Sequence, residues 1–566
     1  MKSNRRITSP EYYTNLIPAL LFLAAVMINL FTTYYVSSHY IDSDTSCELI
    51  LAQHWIDAKT PLSPDWIYGS ELRLFHSQLI YVPLMLLLDN WQTVRFIGIL
   101  IMQALYIVSF GCLVRASGQN KNFFFYGAAM LLLPVSVTYG RIVLYHNHYL
   151  PNITISFFLI ALSMGFIDNV DWRSWKTWLR LTLLAMLSFA GGLNSIRQLL
   201  ITHTPLVLTF VALCWIEDAK NHDKTKSAFL KPTNLKFLCC SVFSAGFSLL
   251  GLKANHVLCD RFDLRIFVQS DNKNLSLMDA QHINDMLYGF FHQFGFRGGV
   301  SMLSANGILT LGSIFISCYL IFISVKQLLH SHSSQNKRKI VLSLLFLAHV
   351  TVLILVFLVT TSTSDPYHYP LYLSLCFSWA VPLILTHLGE LPSAIHPLQA
   401  KRLFASVSVL LLLLSGTVNI LYFQGSEQFP QVYEGLTFQN RNKKAELIEA
   451  VAYLTQHGYD KGYADHWDSG VITEMTNGNM PMVTIDYSHD FTGSNINGNI
   501  KYQDTLISLW LRESPCEKPF LILTTADAES LAVSDTLKYC TEVYAGQYHV
   551  IYDINNLDAF MNTLRY

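Results

Sequence analysis

LIPALLFLAAVMINLFTTYYVSSHYIDSDTSCE, Leu16 to Glu48, starts as a long apolar run and ends in a polar turn carrying two acids, Asp42 and Asp44. A helix needs about 20 mostly apolar residues to cross a bilayer, and residues 16–36 supply them. Lys2, Arg5 and Arg6 precede the run, as in a signal peptide. Its apolar core is too long for one, and no small-x-small cleavage site follows, so it reads as an uncleaved signal anchor.

Comparable runs recur near 93–113, 123–139, 149–167, 179–193, 198–216, 237–258, 303–325, 340–361, 371–388 and 403–423, which makes eleven spans. The run 78–88 is shorter and reads as an interfacial or re-entrant helix. Composition agrees with a polytopic α-helical membrane protein. Only 14% of the 566 residues are charged, against about a quarter in soluble chains, and the mean hydropathy is +0.33. The 38 basic and 39 acidic residues nearly cancel, which excludes the basic footprint of a nucleic-acid binder.

Basic residues set the orientation. With a cytoplasmic N-terminus, segments 1–15, 114–122, 168–178, 217–236, 326–339 and 389–402 are inside and hold 18 Lys and Arg, against 8 in the longer outside segments. A full crossing by 78–88 would turn the clusters around Lys224 and Lys337 outward. The expected location is a bacterial inner membrane, N-terminus in the cytoplasm. From 424 on, long apolar runs stop and Gly, Asn, Asp and Lys return. Residues 1–423 therefore form the membrane domain, and 424–566 an extracytoplasmic α/β domain. In that domain, 443–457 and 529–538 read as helices, and 482–486 and 520–524 as buried strands. Its Cys516 and Cys540 are either a disulfide or two thiols.

The outside segments collect the chemistry. The first, 37–77, carries Asp42 and Asp44, then Leu49–Ile56, read as an amphipathic interfacial helix. A carboxylate at headgroup depth serves as a general base or holds a divalent cation. The bland alternative is helix N-capping by Asp44. The same segment ends with Arg73 and His76, and Arg141, His146 and His148 follow in the next. Arg197 lies in a turn with Gly191 and Gly192, and His368 and Tyr369 in a late turn. An arginine between apolar spans is costly unless paired or hydrated, and guanidinium suits phosphate. Acids for proton abstraction and bases for an anion, all on one membrane face, point to a lipid-phosphate substrate.

In order along the chain these features resemble the GT-C superfamily of polyprenyl-phosphate-sugar glycosyltransferases, in the branch of protein O-mannosyltransferases and lipid A aminoarabinose transferases. Asp44, with Ala52 eight residues on, is similar to the family's acid at the start of a long first outer loop. Arg73 to Pro83 with His76, Asn90 to Arg95, then Arg115, Gly118, Pro134 and Tyr139-Gly140-Arg141 resemble its next segments. Tyr367-His368-Tyr369-Pro370 resembles its late turn, with His368 where an arginine is usual, and Thr45 stands where Glu often follows the acid.

The resemblance implies inverting transfer of a sugar from a polyprenyl-phosphate carrier to a hydroxyl of a glycan, lipid or protein acceptor on the outer face. Asp44 would be the base, with Asp42 beside it. Arg141, Arg197, His368 and Tyr369 would hold the donor phosphate. Arg73, His76, His146 and His148 would contact substrate. No nucleotide site is needed. A divalent metal, Mg or Mn, stays open, with Asp44 and His146 as its ligands if one binds. Partners are the lipid-linked donor, the acceptor and membrane lipid, with no nucleic acid. A multi-span transporter and a non-catalytic scaffold with an outer binding domain compete with this reading. The acids lie in a loop and not mid-span, unlike a transporter site, and a scaffold would tolerate Asp44→Asn.

The orientation is tested by reporter fusions. A reporter active only outside the cytoplasm is expected to work after Phe429 and to be silent after Lys224; the reverse pattern overturns the span count.

Overall fold

The computed structural model describes residues 10–69, 72–119, 121–133, 137–144, 149–167, 171–220, 232–266, 301–330, 337–359, 443–487, 516–532 and 536–563, with short pieces at 280–296, 406–413, 432–437, 498–499 and 505–506. The helices are α1 (Pro10–His39), α2 (Ser43–Ala58), α3 (Gln78–Met85), α4 (Trp91–Ala116), α5 (Lys121–Leu132), α6 (Val137–Leu144), α7 (Leu150–Met164) and α8 (Trp175–Asn194). A π-helical turn, Leu199–His203, opens α9 (Thr204–Lys220); α10 (Pro232–Phe262), α11 (Ala305–His330) and α12 (Lys337–Val359) follow. After residue 443 come α13 (Lys444–Gln456), α14 (His466–Met475), α15 (Thr525–Leu531) and α16 (Leu557–Thr563).

Among the described residues, five helices are long and apolar enough to cross a membrane, over Leu16–His39, Trp91–Ala116, Leu199–Asp218, Asn234–Phe262 and Lys337–Val356. The stretch expected at 123–139 is divided between α5 and α6, and those expected at 371–388 and 403–423 lie outside or almost wholly outside the described residues. Helix α3 has eight residues, a rise of about 12 Å, well short of a bilayer core.

The chain divides into two compact units, and the division departs from a cut at 423. One comprises Met1–Thr32, Leu100–Ala254 and Gln269–Gln439. The other comprises Thr33–Ile99, Asn255–Val268 and Asn440–Tyr566, so residues 37–77 fold with the tail.

Within the first unit, polar side chains satisfy one another. Ser244 and Ser188 hydroxyls are 2.9 Å apart, and Ser244 meets His203 Nδ1 at 3.0 Å. Gln198 donates from Nε2 to Ser156 and Thr202, each at 2.8 Å. His349 donates from Nδ1 to the Ile201 carbonyl in the π-turn at 3.0 Å. Unpaired polar groups in hydrocarbon cost several kcal/mol, which favours such pairing. The Gly191-Gly192 pair, read as a polar turn, is instead helical and packs against α10. A side chain at Gly192 would collide with the Ser248 backbone, and one at Gly251 with the Phe189 carbonyl. Small residues allow this backbone approach, where dispersion and not hydrophobicity drives association.

The second unit is built on a mixed sheet. Strands β1 (Trp66–Tyr68) and β2 (Arg265–Ile266) pair in parallel, and β3 (Lys461–Ala464), β4 (Met482–Thr484), β5 (Thr505–Leu506), β6 (Pro519–Thr524), β7 (Cys540–Ala545) and β8 (His549–Ile554) follow. The five-stranded order is β7-β8-β6-β3-β4, with β3 parallel to β6 and β4, and β8 antiparallel to β6 and β7. Side chains alternate across a strand. Phe520 and Ile522 therefore join a core with Leu447, Val451 and Ile41 on one face, and Leu521 and Leu523 join Tyr463, Val483 and Phe560 on the other. Burial on both faces explains the unbroken apolar run of β6.

Two expectations are corrected here. The helix placed at 529–538 is α15, which starts earlier because Thr524 caps it, accepting from the Asp527 N–H, and a 3₁₀ turn at Thr536–Tyr539 follows. Helix α2 is not an interfacial surface helix. Leu51 and Trp55 pack on Trp66, Tyr68 and Leu72, and Leu49 and Ala52 on Tyr81, Trp91 and Val94. Cys516 and Cys540 are thiols: Cys516 donates to Asp460 at 2.9 Å, and Cys540 lies 3.7 Å from the Thr536 carbonyl.

Gly192→Leu is expected to lower stability in detergent by at least the 1–3 kcal/mol typical of overpacking. Gly246, with open space beside it, is the control: Gly246→Ala stabilises by roughly 0.5–1 kcal/mol. Thermal unfolding of both variants checks the pair.

Candidate active site

The quoted turn sorts its acids by backbone geometry. Asp42 is extended, at φ −128° and ψ 167°, and its carboxylate accepts the Thr45 N–H at 2.9 Å. The Asp42 N–H donates back to Thr45 Oγ1 at 3.3 Å, which closes a capping box in which Thr replaces the usual Glu or Gln. The cap of α2 is thus Asp42 and not Asp44, and Asp42 is fully buried. Asp44 occupies the first turn of α2, where the helix dipole favours a carboxylate. Its side chain keeps 23% of its exposure.

The tail brings a histidine to Asp44. His466 opens α14, and its Nε2 lies 3.8 Å from Asp44 Oδ1. An imidazolium is felt at that distance, which is too long for a direct hydrogen bond. Asp465 caps α14 by accepting the Asp468 N–H at 2.7 Å. Below it, His549 Nε2 meets Asp468 Oδ2 at 3.0 Å and Lys443 Nζ stands 3.6 Å from Asp468 Oδ1. Burial, then the neighbouring Asp468, pushes the Asp465 carboxyl up. Burial works against the Asp468 carboxylate too, but His549 and Lys443 hold it below its ordinary value. Burial also opposes the Lys443 ammonium, and Asp468, Glu446 and Asp465 more than compensate.

Two further carboxylates lock the surroundings. Glu48, one turn beyond Asp44, accepts from Arg73 Nη1 at 2.8 Å, from Gln78 Nε2 at 2.6 Å and from the Ser77 hydroxyl, with His76 Nδ1 at 3.5 Å. Arg73 takes a left-handed backbone, φ 54°, in this cluster. Arg73 and His76, expected to contact substrate, are thus both buried around Glu48. Glu474 of α14 pairs with Arg95 and accepts from the Ser46 hydroxyl at 2.8 Å. Gly470 makes the approach of α14 to α2 possible, since a Cβ there would press on Ser43.

The sequence reading did not single out Glu48, Glu474, His466, Asp468 or His549. Glu48 carried a signal, an acid one turn after Asp44 on one helix; the others come from distant chain segments.

Of the expected phosphate ligands, Arg197 lies in the first unit with its guanidinium 5.2 Å from the Tyr149 ring centre. The Arg141 backbone is in helix α6 and not in a turn, and its side chain lies outside the described residues. His146, His148, His368 and Tyr369 also lie outside them. Among the described residues no three His, Cys, Asp or Glu side chains are gathered to hold a metal ion.

Glu474→Gln is expected to destabilise by about 3–5 kcal/mol, because Arg95 is left charged and buried without its partner. Chemical denaturation of the purified chain measures it; a loss under about 1 kcal/mol, the range of exposed pairs, would show that the pair is solvated.

No family model and no curated protein matches the chain. Solved structures do. ArnT from Cupriavidus metallidurans bound to undecaprenyl phosphate superposes with a TM-score of 0.54 at 10% identity, over 96% of this chain and 98% of that one. The same protein in the apo state gives 0.50 at 11% identity over the same shares. The Archaeoglobus fulgidus oligosaccharyltransferase tethered to an acceptor peptide gives 0.45 at 12% identity, over 95% of this chain and 74% of that one. With its apolar helices and a likeness that runs the length of ArnT, the chain is an integral membrane protein with the GT-C fold.

Proposed function

We propose that the chain is an inverting glycosyltransferase that moves a sugar from a polyprenyl-phosphate carrier to an acceptor hydroxyl on the outer face of the membrane. The observation that carries this is the sorting of the two acids. Asp42 is spent on the helix cap, while Asp44, on the same turn, keeps solvent access beside His466. The likeness to ArnT, itself solved with undecaprenyl phosphate, supports a lipid-phosphate donor.

Asp44 takes the proton of the acceptor hydroxyl as its oxygen attacks the anomeric carbon. The bond from that carbon to the phosphate oxygen breaks on the opposite side, which inverts the centre. His466 steadies the Asp44 carboxylate before transfer. Arg141, Arg197, His368 and Tyr369 are the groups assigned to the departing lipid phosphate, because a cation aimed at developing charge lowers the barrier. Arg73 and His76 act at one remove, through Glu48, by holding the first outer segment in shape. A divalent metal is no part of this scheme.

Two substitutions separate the acids. Asp44→Asn is expected to keep the fold and lose about 10²–10⁴-fold in turnover. Asp42→Ala is expected to keep turnover per folded molecule and lose about 0.5–2 kcal/mol of stability. Transfer of radiolabelled sugar from a polyprenyl-phosphate donor, set beside thermal unfolding, reads both. Full turnover in Asp44→Asn would refute the assignment of the base.

A further inference from the structure

A cavity of about 230 Å³ lies between α2 and α14. Helix α2 gives it Gln53, His54 and Asp57, α14 gives Ser469 and Thr473, and Trp91 closes one side. Among the described residues lining it none is Lys or Arg, and the carboxylate Asp57 is one of them, a setting that disfavours the phosphate of a lipid carrier. Its volume is below the roughly 300–1,000 Å³ of drug-sized sites, which limits it to one small ring.

The polar groups are arranged for hydroxyls. Gln53 donates to Asp57 at 2.9 Å at the exposed mouth, and this bond leaves the Gln53 amide oxygen and the second Asp57 oxygen as further acceptors there. His54 is more than nine-tenths buried, and its Nε2 has no hydrogen-bond partner. Burial, the largest influence, lowers its pKa against the pull of Asp65 and Asp57, and with Nε2 closed off from solvent the ring backs the wall of the cleft. Trp91 is held rigidly. Its backbone N–H donates to the Asn477 side-chain oxygen at 2.9 Å, and Gly478, at φ +78°, brings backbone so close that a side chain would meet the indole. A fixed apolar ring beside a few convergent polar groups is the usual composition of a small-ligand site. Ser43, next to Asp44 in the chain, lines the cavity, as does Gly470, one turn after His466.

We propose that this cleft binds one uncharged sugar ring, that of the acceptor or that of the donor. The proposal rests on the transferase reading for its place in the reaction, and not for the binding itself.

The test uses the full chain in nanodiscs. Methyl glycosides of glucose, galactose, mannose and N-acetylglucosamine are titrated by saturation-transfer NMR into wild type, Gln53→Leu, Asp57→Leu and Asp44→Asn. Both mouth positions are at least partly exposed, so those variants are expected to fold, and their unfolding temperatures verify it. Saturable binding of at least one glycoside is expected, weakened at least tenfold in both mouth variants and unchanged in Asp44→Asn. Absence of binding by all four, or equal binding in folded mouth variants, overturns the proposal. Turnover then assigns the ring: a tenfold rise in KM for the acceptor alone makes it the acceptor's, and for the donor alone the donor's. Binding as expected together with full activity in Asp44→Asn would sink the transferase mechanism and leave the cleft standing; lost activity in Asp44→Asn without glycoside binding would do the opposite.

Discussion

The buried ion pair between Arg95 and Glu474 is the constraint on which the second unit turns. Both side chains keep only 2% of their exposure, and an uncompensated charge at that depth costs several kcal/mol. Arg95 also donates to the Tyr40 carbonyl at 3.3 Å, and Ser46 donates to Glu474. The Lys443 N–H donates to the Ile41 carbonyl at 3.0 Å, and Lys444 to the Ser38 carbonyl at 2.5 Å. The segment around Asp44 is therefore bonded to a stretch of chain about four hundred residues away. With Glu474 fixed to Ser46 and Gly470 close against Ser43, α14 lies along the start of α2 and His466 stands beside Asp44.

Four carboxylates within two helices show how environment assigns roles. Asp42 is extended and caps, and its Oδ1 accepts both the N–H and the hydroxyl of Thr45. Glu48 is surrounded by donors and organises a loop. Glu474 is paired across the chain. Asp44 alone of these is left partly exposed. A general base must reach its substrate before its pKa matters, and among the four only Asp44 combines a carboxylate with access.

The first unit obeys a different rule. In an apolar solvent no polar group is satisfied by default. The hydroxyls of Ser156, Thr202, Ser188 and Ser244, with Gln198, His203 and His349, accordingly bond to one another or to backbone. Glycines at 192 and 251 let α8 and α10 meet at backbone distance. The π-turn at Leu199–His203 fits this picture, since such turns rearrange the carbonyl ladder and are frequent at functional positions.

What the sequence by itself determined is what depends on nearest neighbours in the chain. Apolar runs of span length, the polar turn at Asp42 and Asp44, and the apolar strand Phe520–Leu523 were all legible, because bilayer thickness and strand alternation act on contiguous residues. Capping was legible as a type and not as a position: the choice of Asp42 over Asp44 depends on a single φ, ψ pair. The Gly191-Gly192 pair was read as a turn because a glycine pair looks alike in a turn and at a helix contact until its neighbour is known. His466, Asp468, Glu474 and His549 could not be found this way. Their partners are Asp44, Lys443, Arg95 and one another, some of them hundreds of residues apart. Their roles exist only once sheet and helices have closed around the segment at Asp44, because electrostatic pairing depends on distance in space and leaves no period in the chain.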